Sequence, residues 1–134
     1  MSLINASVLS GATYNVPTGG SALAFAGRGA SGNTHILYDT SSTDARTQKT
    51  LVCTVKDPKV SAGAPNGYTQ ARSKILFKSP LELDNGNVTV NTGAAEFAVD
   101  VETTSAEFDE LKLILCQAIM DTDFTEFWQN RSLS

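Results

Sequence analysis

The chain has 134 residues and a formal net charge of −4, the length of one small domain. No apolar run approaches the roughly 20 residues that span a bilayer, and Met1-Ser2-Leu3-Ile4-Asn5 has neither the basic region nor the apolar stretch of a secretory signal. That implies a cytoplasmic protein, processed by no more than the loss of Met1. Two cysteines, Cys53 and Cys116, are too few for a disulfide framework and lack metal-ligand spacing, so they read as small buried hydrophobes.

Charge is unevenly spread. Residues 1–78 carry eight Lys/Arg against three Asp/Glu, and residues 79–134 carry two against eleven. Such a split marks a basic surface apart from an acidic one.

In chain order, Asn5 to Ser10 and Ser21 to Ala26 read as two short strands forming an N-terminal hairpin around Gly11 and Pro17-Thr18-Gly19-Gly20. Gly27-Arg28-Gly29-Ala30-Ser31-Gly32 reads as a turn-rich link; it lacks the strand–helix context of a nucleotide loop. His35 to Tyr38 is a third strand, and Asp39 to Arg46 a polar loop. In Lys49 to Lys56, Leu51, Cys53 and Val55 share one face and Thr50, Val52, Thr54 and Lys56 the other. In Arg72 to Lys78, Ile75 and Phe77 oppose Arg72, Lys74, Leu76 and Lys78, a buried face backed by a basic one. Between them, Asp57 to Tyr68 carries Pro58, Gly63, Pro65 and Asn66-Gly67, all loop punctuation.

Asp84-Asn85-Gly86-Asn87 is a hairpin-turn signal, since Asn and Gly tolerate positive φ. It separates Leu81-Glu82-Leu83 from Val88-Thr89-Val90. Ala95 to Glu102 is the last strand, with Phe97, Val99 and Val101 on its apolar face. The period then changes. Thr104-Ser105-Ala106-Glu107 fits a capping box, and Glu107, Asp109 and Glu110 complement a helix dipole. Phe108, Leu111, Ile114, Leu115, Ala118 and Ile119 recur at helical spacing, predicting a helix from about Ser105 to Met120. Asp123-Phe124-Thr125-Glu126 repeats the cap pattern and predicts a short second helix carrying Phe124, Phe127 and Trp128. Six or seven antiparallel strands followed by two helices is an α+β order in which helices cover one sheet face. The other face carries the bases.

This order resembles the coat proteins of the single-stranded RNA bacteriophages, the levivirus group, along nearly the whole chain. Val52-Cys53-Thr54-Val55-Lys56 is similar to the family's Thr-Cys-Ser-Val-Arg strand. Phe77-Lys78-Ser79-Pro80 is similar to the strand end before the family's long loop, and Thr103-Thr104-Ser105 before an acidic amphipathic helix also looks like the family. The resemblance implies a single coat-protein domain over residues 1–134, with an N-terminal β-hairpin, a five-stranded antiparallel sheet and two C-terminal helices. It implies an intertwined homodimer with one continuous sheet, in which each subunit's helices clasp its partner. Dimers would assemble into an icosahedral shell, helices outward, packaging single-stranded genomic RNA on the inner sheet face. One RNA hairpin often serves this family as packaging signal and translational operator. The expected place is the virion, assembled in the bacterial cytoplasm.

On the same basis Lys49, Lys56, Arg72, Lys74 and Lys78 are the expected RNA contacts. Val52 and Thr54 align with a family Thr and Ser that form an adenine pocket. Thr54 keeps the hydroxyl and Val52 loses it. Glu96 and Ala98 stand where relatives place a base-stacking Tyr and an Asn, so either the operator differs or RNA is held mainly through charge. Phe108, Leu111, Leu115, Phe124, Phe127 and Trp128 are the expected dimer-clasp residues. Glu82 to Thr92, carrying Glu82, Asp84, Asn85, Gly86 and Asn87 with Asn85-Gly86 at its tip, is the expected loop at the shell's symmetry axes. No cofactor or metal is expected, and Asp121 and Asp123 read as helix caps. His35 has no catalytic partner by sequence, and without a nucleophile constellation an enzyme is the weakest alternative. A stronger one is a dimeric RNA-binding β-sheet module that forms no shell.

Overall fold

Period-two alternation in residues 50–56 and 72–78 produces the two central strands of an antiparallel sheet. The computed structural model describes residues 3–13 and 17–133, so the expected processing at Met1 lies outside the described residues. The strands are β1 (Phe25–Ser31), β2 (Thr34–Asp39), β3 (Thr50–Lys56), β4 (Ala71–Glu82) and β5 (Val88–Val99), followed by helices α1 (Ser105–Met120) and α2 (Thr125–Asn130). The chain divides into two compact units, residues 20–101 holding the sheet and residues 1–19 with 102–134 holding the helices. The five-stranded sheet followed by two helices matches the expected layout.

In the sheet unit the spatial order is β1-β2-β3-β4-β5, every neighbour antiparallel, so β1 and β5 are its edges. Cross-strand partners share a face. Tyr38, Thr50, Lys78 and Thr92 form one row, and Ile36, Val52, Leu76 and Ala94 the next. Thr34, Thr54, Lys74 and Glu96 form the third, and Lys56, Arg72 and Ala98 the fourth. The opposite face holds His35, Cys53 and Ile75 in one row and Leu37, Leu51 and Phe77 in another.

Three expectations change. The N-terminal strand pair does not form. The described part of residues 6–24 carries no strand, and one strand, β1, begins at Phe25 and runs through the glycines read as a link. A β-bulge between Gly27 and Ala30 absorbs them, with Gly29 at φ 91°. Gly27 is needed for another reason: a Cβ there would lie 2.8 Å from His35 Nε2. Next, the two runs expected after the hairpin turn are one twelve-residue strand, β5, that ends at Val99 instead of Glu102. The long loop expected over Glu82 to Thr92 is therefore a tight turn. Leu83 N donates to Asn87 O (2.7 Å), Gly86 N to Leu83 O (2.9 Å) and Asn87 N to Asn85 Oδ1 (3.0 Å), while Gly86 takes φ 85°. Last, the second helix is capped earlier than expected. Asp121 accepts from Asp123 N (3.0 Å) and opens a 3-10 turn over Thr122–Phe124, from which α2 continues.

Asp39 closes β2 and is 4% exposed. Its carboxylate accepts from the Ser41 hydroxyl (2.7 Å) and N–H (3.0 Å). These bonds, with a smaller contribution from the Lys49 charge, hold its carboxyl below the ordinary 3.8. A carboxylate whose folded value is depressed stabilises fully above its unfolded value and ceases to as pH falls through the folded one. Asp39→Asn should therefore flatten the stability loss of the wild type below about pH 4 in denaturant titrations across pH.

In the helical unit, the expected capping box forms with altered partners. Thr104 Oγ1 accepts from Glu107 N (3.2 Å) and donates to the Glu107 carboxylate (2.9 Å). The segment preceding the sheet lies along α1 as a strap. Gln117 receives the Leu9 N–H and donates to the Leu9 carbonyl, both at 2.7 Å. Glu110 accepts from Ser10 Oγ (2.5 Å) and Gly11 N (3.4 Å), and Asp123 from Ser7 N (3.3 Å). These bonds satisfy backbone groups that the hairpin reading assigned to a strand partner. At about 100° per residue, Glu110, Leu113 and Gln117 share the strap's face of α1. Phe108, Leu111, Leu115 and Ile119 form a stripe on the opposite face. Leu111 is 46% exposed and Ile119 45%. Trp128 folds back within this unit, its Nε1 donating to Ala118 O (2.7 Å) and its ring edge-to-face with Phe127. It stays 53% exposed. Among the described residues, no apolar side chain is buried.

Candidate nucleic-acid interface

Strand alternation sends Lys56 from β3 and Arg72, Lys74 and Lys78 from β4 to one face of the sheet. All four are exposed. Their partners across β3–β4 are Lys56 with Arg72, Thr54 with Lys74 and Thr50 with Lys78, so three charges run along β4 and the fourth, Lys56, stands directly opposite Arg72. Val52 and Thr54 lie half-buried on the same face, inside this basic border.

The four cations are not equivalent. Arg72 Nη1 sits 3.1 Å from Glu96 Oε1, in both an ion pair and a hydrogen bond. Glu96 is the direct cross-strand partner of Lys74, yet pairs diagonally with Arg72. Among the described residues no ion pair engages Lys56, Lys74 or Lys78. These three are the charges available to an anion. Ala98, opposite Arg72, presents only a methyl group.

Lys49 stands apart. It precedes β3 on the alternation of Leu51, Cys53 and Val55, and its charge acts on Asp39. The geometry thus gathers Lys56, Arg72, Lys74, Lys78, Val52 and Thr54 and leaves Lys49 outside the group.

Sequence reasoning missed Arg28, Tyr38 and Gln48. Tyr38 lies on the basic face, in the row of Thr50 and Lys78. The Arg28 guanidinium carbon stands 4.8 Å from the centre of the Tyr38 ring. Arg28 Nη2 donates to Gln48 Oε1 at 2.5 Å, and Gln48 Nε2 donates to Asp39 O at 3.1 Å. The available signal was Gly27-Arg28-Gly29, where a cation is bracketed by glycines in a segment rich in β-forming sequence.

Charge by unit sharpens the split by halves. Residues 20–101 hold eight Lys/Arg and seven Asp/Glu, while the helical unit holds two against seven. The sheet unit is nearly neutral, so its basic character belongs to one face rather than to the unit. Among the described residues no group of three or more His, Cys, Asp or Glu is arranged to hold a metal ion.

No protein-family model matches the chain, and no curated protein does. Among solved structures, the virus-like particle of bacteriophage GQ-907 superposes with a TM-score of 0.87 at 29% identity, covering 99% of this chain and 100% of that one. The chain is similar to a bacteriophage coat protein. The virus-like particles of bacteriophages AVE019 and ESE058 share the coat fold more distantly, each with a TM-score of 0.64, at 13% and 14% identity. Each match covers 82% of this chain and 86% of the other. The coat fold accounts for the element order throughout, from the five-stranded sheet to the closing pair of helices.

Proposed function

We propose that residues 1–134 act as one coat-protein domain that dimerises, assembles into an icosahedral shell in the bacterial cytoplasm and packages single-stranded RNA on its basic sheet face. The role is structural rather than catalytic. The observation that carries this reading is that the chain alone buries no apolar side chain among its described residues. Burial of apolar surface is the main drive to fold, and a second copy would supply it. Two features supply the surfaces. β5 is a twelve-residue edge strand without Pro or Lys, the residues that usually block edge pairing. Pairing β5 with the β5 of a second copy makes the continuous sheet. The stripe of Phe108, Leu111 and Leu115 then seats on the partner, with Phe124, Phe127 and Trp128 completing the clasp.

Electron microscopy of the purified recombinant protein tests the reading. Closed particles containing RNA are the expected result; small monomeric species across salt and RNA conditions would overturn it. Reducing the turn of Asp84, Asn85, Gly86 and Asn87 to a two-residue link separates this reading from a shell-less RNA-binding dimer. Shells should disappear while dimers persist, as judged by light scattering. A shell-less dimer would show no particles before or after the change.

A further inference from the structure

We propose that Arg28, supported by Tyr38 and Gln48, is a stacking platform for an unpaired nucleobase of single-stranded RNA. This rests on the RNA-packaging reading and goes beyond it, because charge alone needs no platform.

The argument begins with the backbone. The bulge between Gly27 and Ala30 sets two residues of β1, Arg28 and Gly29, against the single Ile36 of β2, and Gly29 takes a positive φ that other residues rarely adopt. Bulges of this kind twist a strand and re-aim a side chain. Here the re-aimed side chain crosses from β1 onto β2. Tyr38 is the cross-strand partner of Ala26, so Arg28 meets it diagonally.

The guanidinium is held twice. The Tyr38 ring lies beneath it at 4.8 Å, and Gln48 accepts one of its N–H groups. Gln48 is itself oriented, because its amide nitrogen donates to the Asp39 carbonyl. Asp39 is buried and fixed by Ser41. An exposed arginine usually loses considerable rotamer freedom on binding; this one has lost part of it beforehand. Among the described residues no carboxylate pairs with it. Its outer plane and remaining N–H groups are open to a ligand.

A planar cation held over an aromatic ring matches the chemistry by which proteins hold splayed-out RNA bases. The surroundings select nucleic acid over other planar ligands. Lys78 lies in the same cross-strand row as Tyr38, two strands away, a span of about 10 Å that a lysine arm shortens. A base on Arg28 therefore leaves a neighbouring phosphate within reach of Lys78. Stacking tolerates any base, so the platform would bind RNA of varied sequence.

The test compares a 12-nucleotide oligouridylate with an abasic ribose-phosphate oligomer of equal length, using fluorescence anisotropy on full-length protein dissociated from shells and freed of packaged RNA. Arg28→Lys keeps the charge and removes the plane. It should weaken oligouridylate binding about fivefold and leave the abasic oligomer unchanged. Tyr38→Leu should do the same, and Tyr38→Phe should behave as wild type. If Arg28→Lys leaves both ligands unchanged, or weakens both equally, the platform is wrong. A Lys74→Ala, Lys78→Ala variant reports separately on the parent reading and should weaken both ligands. Wild-type protein that binds neither ligand overturns both proposals. Weakening by the lysine variant with no effect of Arg28→Lys overturns only the platform.

Discussion

Replacing Leu111 and Leu115 with Asp is expected to abolish the proposed dimer and the fold together. Both residues lie on the α1 stripe opposite the strap, and Leu111 is 46% exposed in the single chain. Burying a leucine side chain contributes about 1.5–3 kcal/mol. Two residues in each of two subunits bring the loss to roughly 6–12 kcal/mol, before any cost of burying the new charges. That is comparable to the whole stability of a small domain, about 5–15 kcal/mol. With no apolar side chain buried among the described residues, the separated chain has little to fall back on. Size-exclusion chromatography and circular dichroism should show loss of assembled species together with loss of secondary structure. Asp109→Asn is the matching control. Its side chain is 71% exposed and, among the described residues, forms an ion pair only with Lys112 at 3.2 Å, so its effect should stay within about 0.5 kcal/mol. Assembled species persisting in the double Asp variant would show that the stripe is not the seat of the partner, and a folded monomer would show that the fold does not depend on it.

Local signals were legible in the sequence, and long-range ones were not. Thr104 and Glu107 announce the start of α1 because a capping box is a contact across three residues. Asn85-Gly86 announces the hairpin because positive φ is a property of the residue itself. Alternation in residues 50–56 and 72–78 sorts the basic face correctly because strand geometry is strict. The strap illustrates the opposite case. Leu9 pairs its backbone with Gln117, more than a hundred residues away, and nothing at either position advertises the match. β1 was obscured by its glycines, which ordinarily mark turns but here serve a bulge and a close approach to His35. The site divides in the same way. The cations on one face could be assigned by counting, whereas the capture of Arg72 by Glu96 depends on β4–β5 register.

That capture gives the second large effect. Replacing Lys56, Lys74 and Lys78 with Ala removes three unpaired cations from one face, and RNA packaged per particle should fall. Each phosphate neutralised on a single strand contributes about 0.7 to the slope of log affinity against log salt concentration. Losing three contacts should flatten that slope by about 2 per RNA-bound subunit face. Arg72→Ala should do much less, since its charge already lies 3.1 Å from a carboxylate. Glu96→Gln should act in the opposite direction. It frees Arg72 and removes a negative charge beside Lys74, so binding should tighten and the salt dependence should steepen. Surface ion pairs contribute little to stability, so the Gln variant should fold as the wild type does. The ratio of absorbance at 260 and 280 nm in purified particles reads RNA content, and salt titrations read the slope. Unchanged RNA content in the triple Ala variant would remove the basic face from the packaging role. A Glu96→Gln variant that binds RNA no more tightly would show that Arg72 is not restrained by its partner.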